Sequence, residues 1–399
     1  MDKATSGYLL IADITGYTGY MQASELDHAR GILEGLFAAM LERLHSPFVL
    51  SNVQGDAILT HARAGLVADG HSVIDTVEAV YFGFARALEG MIHNTTCTCK
   101  ACRNIVNLDL KLLVHYGAYV DQVIGGRIEL GGPEVILIHR LMKNAVTQTT
   151  GIRAYAAFTE AAANAIGVPE FFAPMAKHTE NVERFDPVTL FVLDMLPLWE
   201  AHRAQEKVVA DESDLWFPDV EVELPAPLDH AWYYVTNPAK RADWYVNVLG
   251  LTRSQTRNGR AQIGSVDHCA HGDGTTTVFR FLDWQPHEHV TFDIMVPFKG
   301  TVRETIFVNS TPAGSHILVR TAKPVTPNPL TQFLLRVATG KVAKKAREDW
   351  EVSLGRLKEL AAAEAPADAP PVSASRDEAI NRAIAARLAG EGQADNAQG

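Results

Sequence analysis

The sequence predicts an α+β protein of two domains, and three observations carry that prediction. Short strands alternate with amphipathic helices in the first half, and a run of strands closed by one long helix fills the second. Between them, residues 197–216 turn charged and poorly periodic. At 399 residues, with 47% hydrophobic and 21% charged residues, each half is long enough to bury its own core. The expected plan is a domain over 1–196, a linker over 197–216, a domain over 217–362 and a largely disordered tail over 363–399.

The first half opens with a strand over 7–14. A helix follows, with Leu26, Leu33, Phe37, Met40 and Leu44 at helical spacing and Ser24 as its N-cap. "FVLSNVQGDAILTHA" reads as two strands joined by a tight turn at Gly55-Asp56, and "DTVEAVYFGFARALEGMIH" as a second helix. "LDLKLLVHYGAYV" alternates as a strand, and "PEVILIHRLMKNA" is a third helix with Pro133 in its first turn. Strands return at "GIRAYAAFT" and "VTLFVLDM".

The second half reads as strand "DVEVELPAP", helix "LDHAWYYVTNPAKRADWY" and six further strands from "TRSQTR" to "SHILVRTAK". A long helix carrying Phe333, Val337, Trp350, Leu354 and Leu357 on one side ends the series. In the Pro/Ala-rich tail, Ser375 with Glu378 and the spacing of Ile380, Ile384 and Leu388 predict a short helix over 375–388.

The net charge of −11 argues against nucleic acid or an anionic membrane surface as the main partner, since both need concentrated Lys and Arg. No stretch approaches ~18 consecutive apolar residues, and the opening residues lack the pattern of a secretory signal. The expectation is a cytoplasmic protein without a membrane span. Its partners are then small molecules or other proteins.

Asp13 ends the first strand and Asp56 sits in the turn of the hairpin that follows. If these strands are neighbours, two hard oxygen anions meet at one sheet edge, which suits Mg²⁺ or Mn²⁺ with phosphate oxygens as further ligands. Residues Ile14 to Thr18 then lead into a helix, so the backbone amides around Gly16, Tyr17 and Thr18 can face a polyphosphate. The plainer alternative is a capping acid and an ordinary hairpin residue.

"LLIADITGYT", "NVQGDAILTHA", "LLVHYGAYV" and "GGPEVILIHRLMKNA" resemble, in order, four segments of the class III nucleotidyl cyclases, over about 7–145 with weaker agreement to about 195. The resemblance implies a ferredoxin-like fold and a homodimer with active sites between its subunits. It implies Asp13 and Asp56 as metal ligands, a backbone carbonyl from Ile14, and Arg140 as the arginine that stabilises phosphate charge. The substrate it implies is a purine nucleoside triphosphate, with Asn52 and Glu129 at the base-reading positions. These match neither the adenine-selecting nor the guanine-selecting pattern. Ile136 stands where the family has its transition-state asparagine, and the late strand has only Arg184 near the place of the phosphate-binding lysine. A missing transition-state donor commonly costs ~10²–10³ in rate. Two readings therefore stand side by side: a slow cyclase, and a non-catalytic regulatory protein built on the same fold.

"HNTTCTCKACRN" gathers His93, Cys97, Cys99 and Cys102 between a helix and a strand. Four N/S donors suit a structural Zn²⁺; a redox pair and free thiols are the alternatives.

The second half resembles the START-like (SRPBCC) helix-grip fold over about 217–361. Such a fold implies a cavity for a hydrophobic ligand, with a regulatory role in signalling. Phe279, Phe281, Phe292, Ile294, Val296, Ile306 and Phe333 are the residues expected to line either that cavity or an ordinary core.

Overall fold

The computed structural model describes residues 4–94, 97–124, 127–272, 274–296, 300–326 and 329–364, with side chains left out at 124, 127, 128, 296 and 329–339. Residues 365–399 of the expected tail, with its helix over 375–388, lie outside the described residues, as do the side chains of Val296 and Phe333, while 363–364 belong to the long final helix. The chain divides into two compact units between Gln205 and Glu206. No described helix is long and apolar enough to cross a membrane.

The first unit runs β1 (Thr5–Thr15), α1 (Tyr17–Ala23), α2 (Leu26–Leu41), β2 (Val49–Gln54), β3 (Ala57–Arg63), α3 (Gly70–Asn94), α4 (Lys100–Asn104), β4 (Asp109–Ile124), β5 (Arg127–Gly131), α5 (Pro133–Leu141) and α6 (Val146–Thr150). It ends with β6 (Tyr155–Thr159), α7 (Glu160–Ile166), α8 (Pro169–Phe172), β7 (Ala176–Glu180), β8 (Val188–Asp194) and α9 (Met195–Arg203). The main path of the sheet is β2-β3-β1-β4-β6-β8-β7, with β5 pairing to β4 off that path. Its first part, β-α-β-β-α-β in sequence and β4-β1-β3-β2 in space with antiparallel neighbours, is the ferredoxin-like arrangement.

Residues 8–14 read as a nearly unbroken apolar run because both faces of β1 are covered. Tyr8, Leu10, Ala12 and Ile14 pack with Leu33, Phe37, Val77 and Phe84 of α2 and α3. Leu9 and Ile11 pack on the other face with Leu113 of β4 and Val135, Ile138 and Leu141 of α5. Asp13 follows in that second, alternate set, so period two assigns it to the α5 side.

Two local expectations change. Ser24 does not cap α2: it ends the separate short helix α1, and Glu25 holds the N-cap position. The stretch 197–216 is not a free linker. Trp199 of α9 is buried in the first unit and donates to Glu89 Oε1 at 2.9 Å. Past the division, Val208 N–H donates to Asp283 Oδ2 at 2.9 Å and Ala210 N–H to Thr305 Oγ1 at 2.8 Å, tying 206–211 to the second unit.

That second unit runs β9 (Val220–Leu224), α10 (Leu228–Thr236), α11 (Pro238–Trp244), β10 (Val248–Ser254), β11 (Val266–His271), β12 (Thr276–Gln285), β13 (His289–Val296), β14 (Gly300–Thr311), β15 (Gly314–Thr321) and α12 (Pro329–Glu364). The helix expected over 228–245 breaks because Pro238 cannot continue α10. Asn237 Oδ1 instead accepts from the amides of Ala239 and Lys240 and starts α11. The seven strands form an antiparallel sheet in the order β10-β11-β12-β13-β14-β15-β9. Trp350, Leu354 and Leu357 of α12 are buried in its core.

Candidate functional site

Asp13 pairs across the sheet with Ala57 on one side and Lys111 on the other, and Ile14 N–H donates to the Asp56 carbonyl at 3.0 Å. The two aspartates thus stand next to each other at one end of the β1–β3 ladder. Lys111 Nζ lies 2.9 Å from Asp13 Oδ2 and also donates to the Met142 carbonyl at the end of α5, at 3.1 Å. Burial raises the Asp13 carboxyl above its usual range and the nearby Asp56 adds to this; Lys111 acts in the opposite direction. Two adjacent acids at one sheet end favour a cation, and in the structure Lys111 supplies one to Asp13.

Immediately after this strand, Gly16 takes the left-handed conformation, φ 86°, as the N-cap of α1. A Cβ there would come 2.7 Å from the Asn107 carbonyl oxygen. Gly16→Ala should therefore cost about 1–3 kcal/mol, visible as a lowered Tm in thermal unfolding. Tyr17 and Thr18 form the first turn of α1.

The other positions implied by the cyclase resemblance are spread around the same sheet. Asn52 lies on β2 beside a register shift, and Glu129 on β5, which approaches β2. Ile136 and Arg140 are one turn apart on α5, and Ile136 is 53% exposed. Arg140 Nη1 donates to the Glu183 carbonyl at 2.6 Å, and its guanidinium lies 5.9 Å from the Phe185 ring centre. The late-strand region thus engages Arg140 through its backbone and a ring, while Arg184 pairs with Glu183 at 3.5 Å.

At the cysteine segment the structure changes one member of the expected set. The imidazole grouped with Cys97, Cys99 and Cys102 is His28 of α2; His93 sits in the last turn of α3 and is not in the group. The four ligand atoms lie within 4.8 Å of one another. His28 Nδ1 is 3.2 Å from Cys99 Sγ and 3.6 Å from Cys97 Sγ. A tetrahedral zinc with Zn–S near 2.3 Å and Zn–N near 2.0 Å sets N···S separations of about 3.5 Å, so this donor set fits the ion. The loop is held to the start of α2 by Ala101 N–H donating to Glu25 Oε2 at 3.0 Å, and Cys102 N–H donates to Cys99 Sγ at 3.4 Å.

In the second unit, a cavity of about 660 Å³ is lined by residues including Phe217, Tyr245, Ile294, Glu304, Thr321 and Trp350. Of the expected lining residues, Ile294 is there. Phe279, Phe281, Phe292 and Ile306 are buried in the core instead. Guanidinium groups cover three of these rings: Arg241 lies 4.8 and 4.6 Å from the Phe279 and Phe292 ring centres, and Arg253 lies 5.0 Å from that of Phe281. Sequence reasoning did not single out His28, Lys111, Arg241 or Glu304.

The first unit is thus a ferredoxin-like α+β sheet with Asp13 and Asp56 at one end, and the second an antiparallel sheet packed on a long helix. Residues 219–362 match a family described as polyketide cyclase / dehydrase and lipid transport, and residues 33–150 match one described as a protein of unknown function, DUF2652. An uncharacterized protein of Mycobacterium tuberculosis, Rv2561/Rv2562, is 32% identical over 97 residues, which is 24% of this chain and 45% of that relative. The match spans less than half of the relative's length. Among solved structures, the guanylyl cyclase Cya2 is similar at TM-score 0.39 with 14% identity, covering 48% of this chain and 92% of that one. The adenylyl cyclase CyaB from P. aeruginosa is similar at TM-score 0.36 with 14% identity, covering 49% of this chain and 96% of that one.

Proposed function

We propose that the first unit binds a purine nucleoside triphosphate together with Mg²⁺ or Mn²⁺ at Asp13 and Asp56, as one half of a site completed by a second copy of the chain. In this reading the protein is a cytoplasmic, divergent class III nucleotidyl cyclase whose activity responds to a hydrophobic ligand held in the second unit. The observation that carries the reading is the adjacency of Asp13 and Asp56 at one sheet end, followed at once by the left-handed turn at Gly16. The metal ion would supply the positive charge that a triphosphate and a departing pyrophosphate need. Ile14 to Thr18 would orient the phosphates, and Arg140 would stabilise phosphate charge. Incubation of the purified protein with ATP or GTP and Mn²⁺ tests this: a cyclic nucleotide that disappears with Asp56→Ala supports it, and no cyclic product argues against catalysis.

A second reading, a non-catalytic nucleotide-binding regulator, is favoured by one observation. Ile136 presents no hydrogen-bond donor at the exposed face of α5, and Arg140 is already engaged by Glu183. Ile136→Asn distinguishes the two readings. If only the donor is lacking, cyclic nucleotide formation should rise by about 10²-fold.

His28, Cys97, Cys99 and Cys102 are proposed to hold a structural Zn²⁺, on the strength of four N/S donors converging from two separate segments. The ion would fasten the segment 97–104 to the N-terminal turn of α2.

A further inference from the structure

Glu304 is an acid where the fold supplies little to receive one. It is 1% exposed in the middle of β14, between Phe292 of β13 and Thr321 of β15, and it lines the cavity of the second unit. Thr321 Oγ1 donates to its Oε2 at 2.9 Å and Trp350 Nε1 donates to the same oxygen at 2.8 Å. Its Oε1 has no hydrogen-bond partner among the described residues. Leaving a buried polar atom unmatched commonly costs about 1–3 kcal/mol, so a cavity-lining acid with one oxygen in this state gains from a matching group.

We propose that this cavity takes an apolar molecule carrying a carbonyl oxygen, with Glu304 Oε1 as the hydrogen-bond partner of that oxygen. The proposal deepens the reading of the second unit as a hydrophobic-ligand module and rests on it. The volume, about 660 Å³, suits a ligand of small-drug size, and Tyr245, Ile294 and Trp350 supply its apolar contacts.

Protonation fixes which way the hydrogen bond runs. Burial pushes the carboxyl up to about 7, against the pull of Arg241. Because Oε2 already accepts two hydrogens, the proton of the neutral acid belongs on Oε1, which then donates and selects an acceptor. Among the described residues, Arg241 of α11 acts on this carboxyl directly, Tyr245 interacts with it and with Cys269 of β11, and His271 of β11 and Asp349 of α12 line the same cavity. Arg241 is itself 1% exposed, with its Nε and Nη2 unpartnered among the described residues.

The test uses the full chain and two ligands of one shape, 2-acetylnaphthalene and 2-ethylnaphthalene, measured by equilibrium dialysis at pH 6 and pH 9. The ketone should bind about tenfold more tightly at pH 6, and its advantage should disappear at pH 9, where an ionised carboxylate repels the carbonyl. Glu304→Gln should keep the advantage at both pH values, because its amide accepts from Thr321 and Trp350 and donates to the ketone. Glu304→Met should lose it at both. A pH dependence that persists in Glu304→Gln assigns the effect to another group and overturns the proposal. Equal binding of the two ligands at pH 6 overturns it while leaving the hydrophobic module standing; binding of neither overturns both.

Discussion

Asp13→Asn is expected to weaken binding of Mn²⁺–ATP by at least about tenfold, because it removes one of two charges that would hold the ion. The same change leaves Lys111, whose side chain is 23% exposed, without the carboxylate 2.9 Å away. A loss of stability of about 1–3 kcal/mol should accompany it. Lys111→Met separates the two effects. It keeps both aspartates and removes the cation that competes for Asp13, so Mn²⁺ alone should bind more tightly than to the unmodified protein. If both variants bind Mn²⁺ as the unmodified protein does, Asp13 is not a metal ligand.

Cys99→Ser is expected to take zinc content from one equivalent per chain to near zero, read by elemental analysis of purified protein. Cys99 is central to the group: its Sγ lies 3.2 Å from His28 Nδ1 and also accepts from Cys102 N–H. The unit keeps its main core, so losing the ion should release the segment 97–104 and the start of α2 rather than unfold the unit. A cost of roughly 2–3 kcal/mol corresponds to a Tm lowered by about 5–10 °C for a unit of this size. His28→Ala should behave like Cys99→Ser, whereas His93→Ala should retain the metal. Zinc retained by His28→Ala and lost by His93→Ala would reverse the assignment. Full occupancy by a disulfide in place of zinc would favour the redox reading.

The parts of this architecture that follow local rules were legible in the chain. β1 announced itself by its apolar run, the β2–β3 hairpin by Gly55-Asp56, and α5 by Pro133; with them came the adjacency of Asp13 and Asp56. What resisted reading was what depends on long-range packing. His28 meets the cysteines across 69 and 71 residues, and nothing in "LDHARG" marks one exposed helical histidine as a ligand, whereas His93 stood within four residues of Cys97.

Glu304 carried a signal that alternation should have exposed. Val302, Glu304, Ile306 and Val308 share one face of β14, so an acid between buried neighbours two residues away is itself a buried acid. The phenylalanines show the opposite limit. Period two correctly put Phe279, Phe281 and Phe292 inside, but whether they face a cavity or a guanidinium depended on Arg241 and Arg253, which arrive from α11 and β10.

The most direct measurement of the central claim is a calorimetric titration of the purified protein with ATP or GTP in the presence and absence of Mn²⁺. The account predicts saturable binding of one nucleotide per chain that requires the metal and is lost in both Asp13→Asn and Asp56→Ala. Folded protein that binds neither nucleotide with Mn²⁺ present, or binds them equally well after either substitution, would contradict it.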